Sequence, residues 1–181
     1  MADDPLARVA DLEGVGVAAA HARDAIDALL RHPAMRHAAA EVAAESAVRG
    51  SRASAQMEDA STDDVADPVW QGALRVVAEV PSLAAIWERS PRQALARMHM
   101  IAARDLVDDA DRLGRPRPGA EVERVEQIVS LATGPTRAPA VVVAALVHAE
   151  LAVLRPFGTA DRIVARAAER VVLVARGVDT K

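Results

Sequence analysis

Proline and glycine cut this chain into segments of helical length, and that punctuation limits the fold more than any other feature. Pro5, Pro33, Pro68 and Pro91 each head a run rich in alanine, leucine, arginine and glutamate. Proline suits the first helical turn, where its missing N–H is not needed, and those four residue types are good helix formers. Gly177 follows the last such run, where a left-handed residue ends a helix. No stretch shows the alternation of a half-buried strand. The expected fold class is all-α.

The predicted helices are Pro5–Leu12, Val15–Arg31, a third from Pro33 towards Arg49 that Gly50 interrupts, and one or two turns over Ser51–Asp59. Then come Pro68–Glu79 with Asp67 as its N-cap, Ser82–Glu88, Pro91–Asp105, Ala120–Ala132, Ala138–Leu154 and Arg162–Arg176, the last capped by Asp161. The acidic stretch Ala60–Asp67 reads as a linker between N-terminal helices in residues 1–60 and a core in residues 68–181, packed as one compact unit. The apolar run Ala138–Leu154 contains only His148 and Glu150 as polar breaks. It is short for a membrane span and reads as a central buried helix.

Hydrophobic residues make up 51% of the chain, enough for a globular core, but Trp70, Trp87 and Phe157 are the only aromatics. The two tryptophans read as core anchors, Met98 and Met100 as fillers of core gaps, and His148 as a satisfied core histidine. Without cysteine there are no disulfides, thiol nucleophiles or thiolate metal sites. A net charge of −4 argues against a nucleic-acid partner. The acidic N-terminus has no apolar leader run, so the expected location is the cytoplasm, with no membrane partner. No metal is expected. His37, Glu41 and Glu45 follow at i, i+4 and i+8 and read as a salt-bridged surface face, metal binding being the rarer use of that pattern.

One loop stands out for chemistry. Pro156 and Gly158 force the backbone out of the helix, and a new helix begins near Asp161. A helix N-terminus offers free N–H groups and a positive dipole end. Arg155, Arg162 and Arg166 surround it, the last two one turn apart. The arrangement reads as an anion site formed by Arg155, Gly158, Thr159, Asp161, Arg162 and Arg166, or else as an ordinary helix junction with solvated arginines.

The same segment resembles the signature of the Fic (Fido) family. That family carries a histidine on one helix and, seven residues on, the motif HPFx[DE]GNGRxxR at the head of the next. His148 falls at the upstream histidine, Pro156 and Phe157 on the proline and phenylalanine, and Arg166 on the final arginine, without a gap. Ser54-Ala55-Gln56-Met57-Glu58-Asp59 is similar to the [ST]xxxE[GN] inhibitory-helix motif of some members, with Asp59 at the last place. The resemblance covers roughly residues 41–177 and implies a Fic-type helical bundle. Members mostly transfer AMP from ATP to a protein hydroxyl, using the motif histidine as base, an acidic residue for Mg²⁺, and glycines and arginines for the phosphates.

The chain departs from that pattern at most polar places. Arg155 stands where the base should be, and arginine stays protonated near neutral pH. Thr159 replaces the metal-binding acid, Ala160 and Arg162 replace the glycines, Asp161 the asparagine, and Ile163 the first arginine. No catalytic residue is therefore assigned, and no cofactor: ATP and Mg²⁺ enter only if activity is retained. The resemblance implies a degenerate member, silent as an AMP transferase, that binds a protein partner or a nucleotide-like, phosphorylated small molecule. The alternative is an active nucleotidyl- or phosphoryl-transfer enzyme with altered chemistry at Arg155, Arg162 and Arg166. The resemblance further implies that Glu58 meets Arg166, with Ser54 holding the inhibitory turn. It also implies that Gly114–Gly119 lies where the family has a target-docking flap, although two prolines there disfavour a regular hairpin.

Overall fold

The computed structural model describes residues 4–179, which leaves the sole lysine, Lys181, outside. Its elements are α1 (Pro5–Ala10), α2 (Val15–Arg31), α3 (Pro33–His37), α4 (Ala39–Gln56), α5 (Pro68–Ala78), α6 (Val80–Trp87), α7 (Pro91–Ala103), α8 (Val122–Thr133), α9 (Ala140–Leu154) and α10 (Asp161–Ala175), with a 3₁₀ turn at Ala110–Arg112. No strand occurs among the described residues, so the all-α expectation holds. No helix there is long and apolar enough to cross a membrane.

The punctuation works as the sequence suggests. Prolines open α1, α3, α5 and α7. The Asp67 carboxylate accepts from the N–H groups of Val69 at 2.9 Å and Trp70 at 3.1 Å, capping α5. Gly177 at φ +69° lets Val178 N–H return to the Leu173 carbonyl at 2.9 Å, closing α10 with a six-to-one bond.

Four expectations fail, each for a physical reason. The helix from Pro33 breaks at Ala38 (φ −135°), so His37 sits on α3 while Glu41 and Glu45 sit on α4. Glu45 pairs with Arg49 instead. Gly50 does not interrupt α4, which runs through to Gln56. A helical glycine costs only about 1 kcal/mol relative to alanine, and the buried Ser51, Ser54 and Ala55 beyond it gain more by packing. Met98 is fully buried, but Met100 is 50% exposed, because residues two apart on a helix face different ways. Finally, α9 is not buried all round: Ala145 and Ala149 are exposed and Val153 is 80% exposed.

The most enclosed helix is α10, with eight of its fifteen residues buried, packed against α9, α6 and α7. Small side chains permit the close approach. Gly72 on α5 lies so near α7 that a Cβ there would stand 2.1 Å from the Ala102 carbonyl oxygen. Trp87 is buried, and Trp70 is buried with its indole N–H donating to Ser51 Oγ at 3.3 Å, so both tryptophans anchor the core. The fold thus delivers the head of α10 and the end of α4 to one place.

Candidate functional site

The loop between α9 and α10 turns through three left-handed residues: Arg155 (φ +47°), Gly158 (φ +81°) and Ala160 (φ +52°). Pro156 and Phe157 are buried beneath it and fix its base. Arg155 caps α9 and its side chain is exposed, while Thr159 is half-buried. Asp161 is 3% exposed and does not cap α10 as expected. Ala160 is the N-cap, with no side-chain bond. Asp161 is the first helical residue, and its carboxylate turns back to accept from the Phe157 N–H at 2.8 Å, with the Gly158 N–H also directed at it. Burial raises its pKa, opposed by those two N–H groups and by the charges of Arg155 and Arg117. Two N–H groups of the loop, those of Phe157 and Gly158, are thus directed at an internal carboxylate.

A second internal carboxylate holds the arginines. Glu58 lies in the turn after α4, and its Oε1 accepts from the Arg166 guanidinium at 2.7 Å. Its other oxygen lies 3.9 Å from Arg162. Arg166 also donates through Nε to Ser54 Oγ at 2.7 Å and through Nη2 to the Ser54 carbonyl at 3.1 Å. Both ends of the pair are mostly enclosed, Arg166 at 18% and Glu58 at 19% side-chain exposure. The expected contact between Glu58 and Arg166 is present, and Ser54 takes part in it. Arg162 stays 49% exposed. Arg155 forms no bond to this cluster, so the structure divides the sequence-predicted anion residues into two groups: Arg155, Gly158, Thr159 and Asp161 in the loop, Arg162 and Arg166 with Ser54 and Glu58 beside it.

His148 is half-buried rather than a core residue. Its Nδ1 meets Glu169 Oε2 on α10 at 2.5 Å, which ties α9 to α10.

Sequence reasoning missed two residues here. Arg117, in the loop 114–119, gives its backbone N–H to the Pro156 carbonyl at 2.8 Å and its Nε–H to the Arg155 carbonyl at 2.9 Å. His99 on α7 is 1% exposed and stacks on Phe157, the ring centroids 4.3 Å apart. Its Nδ1 accepts from the Gly114 N–H at 2.9 Å, which leaves the proton on Nε2, and that buried nitrogen makes no hydrogen bond. Burial lowers its pKa to about 4; the Arg112 charge adds to this and the Thr159 carbonyl opposes it. Arg117 between prolines offered a weak signal; a buried histidine on an alanine-rich helix offered none.

The loop 114–119 has few free donors. Gly114 bonds to His99, Arg115 to the Arg112 carbonyl, Arg117 to Pro156, and residues 116 and 118 are prolines. A strand seeking a ladder partner would find only the Gly119 N–H.

The residues do not fit Mg²⁺. Threonine stands at the acidic place, the nearby Asp161 carboxylate is engaged with the loop N–H groups, and no cluster of three metal-ligating side chains occurs among the described residues.

No family model matches this chain, no curated protein matches it, and no solved structure matches it. The resemblance to the Fic family rests on the motif residues and their spacing.

Proposed function

We propose that this chain is a Fic-like protein, silent as an AMP transferase, that binds a nucleotide-like phosphorylated anion through Arg162 and Arg166. The observation that carries the reading is the Glu58 carboxylate seated on Arg166, with Arg162 beside it. Two arginines one turn apart that already hold one anion form a receptor for another of matching geometry. The ligand enters as Glu58 leaves.

The same geometry supports silence. Arg155 cannot take a proton from a hydroxyl, Asp161 engages the Phe157 and Gly158 N–H groups, and the loop 114–119 has almost no backbone donor for a target strand. Each of these removes a separate requirement of AMP transfer, so restoring one restores nothing.

A thermal-shift panel of nucleotides and phosphorylated metabolites on wild type and Arg166→Ala tests the binding. At least one phosphorylated compound should raise the melting temperature of the wild type and not of the variant. A panel in which none shifts the wild type ends the anion reading. Incubation with radiolabelled ATP and cell lysate tests the silence: no protein should take up label, and labelled protein would establish the altered-chemistry enzyme instead.

A further inference from the structure

The two loops that border the site are bonded to one another and to one buried side chain. Arg117 clips the loop 114–119 onto the carbonyls of Pro156 and Arg155. The Arg117 stem also passes 3.2 Å from where a Cβ on Gly158 would stand. His99 touches both loops from α7: Nδ1 takes the Gly114 N–H, and the ring lies flat on Phe157 with an interplanar angle of 5°. Below them, Gly114 and Pro116 from one loop and Pro156 and Phe157 from the other share the wall of a cleft of about 420 Å³. Neither loop can shift far without breaking a contact with the other or with His99.

We propose that His99 is the positioning residue of a latch that locks the loop 114–119 and the loop 155–159 into one unit, so that loosening either loop loosens both. The latch is independent of whether an anion binds at Arg162 and Arg166. A bound ligand that pulls on the loop 155–159 would be registered at Gly114.

Hydrogen–deuterium exchange at residue resolution tests the latch without any ligand. In His99→Phe the ring contact is kept and the bond to the Gly114 N–H is lost. The amides of Gly114, Arg117, Phe157 and Gly158 should exchange about tenfold faster, the factor one lost hydrogen bond is worth, while α5 and α10 core amides keep wild-type protection. Faster exchange at Gly114 alone, with Phe157 and Gly158 unchanged, would overturn the shared anchor. Arg117→Ala provides the second arm, because that exposed side chain leaves the core untouched. It removes bonds only to the loop 155–159 side, yet the latch requires the Gly114 amide to loosen as well. Wild-type protection at Gly114 in Arg117→Ala would refute the coupling even if His99→Phe failed to fold.

Discussion

At Ala160 the backbone is left-handed, at φ +52°, in a residue that has a Cβ. An L-residue held there costs about 1 kcal/mol that glycine avoids. The family pattern has glycine at this place, and the turn here has the backbone shape that suits glycine. Ala160→Gly should raise stability by ~0.5–1 kcal/mol in chemical denaturation; a loss of stability would mean that the alanine methyl packs usefully. The titration of His99 also bears on stability. Its folded pKa of about 4 lies below the ordinary value of 6.5, so the unfolded chain binds more protons between those limits. Stability should therefore fall as pH drops from about 6.5 towards 4, by up to ~3 kcal/mol at 1.4 kcal/mol per unit. Asp161 acts in the opposite sense. Its raised pKa gives a contribution present below its ordinary 3.8 and lost as pH rises through the raised value. Denaturant melts across this range should show the decline in wild type and a flatter profile in His99→Phe. The contacts of His99 and Arg117 were not legible beforehand, because their partners lie 15 and 38 residues away and no local pattern links them.

The elements were legible where a residue type forces the backbone. Proline heads and the Asp67 cap fixed four helix starts, since each acts through its own covalent geometry or a bond within one turn. The break at Ala38 left no trace, because alanine favours the helix that it ends. The burial of α9 was misjudged because a helix apolar on every side does not show which face is covered. Two glycines set the energetic contrast at this scale. Gly72→Ala would place a methyl 2.1 Å from the Ala102 carbonyl, so α5 and α7 must part, at a cost of about 2–3 kcal/mol. Gly50→Ala meets nothing within 4 Å on an exposed helix surface and should stabilise by ~0.5–1 kcal/mol. Thermal unfolding of the two variants should move in opposite directions; a harmless Gly72→Ala would show that the α5–α7 crossing has slack.

For the whole molecule, the fold closes a contact between residues 108 positions apart and makes it the centre of the site. Ser54 and Glu58 sit at the end of α4, Arg162 and Arg166 on α10, and the core beneath aligns the two. Spacing within either helix could not reveal that meeting; only the resemblance to a two-part motif pointed to it. The same resemblance did not reveal that Asp161 would hold the loop donors, since the family has asparagine there. The Phe157 and Gly158 N–H groups and the Arg166 guanidinium are thus each engaged by a carboxylate of the chain itself. The claim at stake is that Glu58 fills a real receptor rather than a merely structural pair. Calorimetric titration of ATP into wild type, Glu58→Ala and the Glu58→Ala/Arg166→Ala double variant tests it directly. Glu58→Ala should bind at least about tenfold more tightly than wild type, a difference near 1.4 kcal/mol, and the double variant should lose that gain. Equal affinity for wild type and Glu58→Ala, or a gain that survives loss of Arg166, would contradict it.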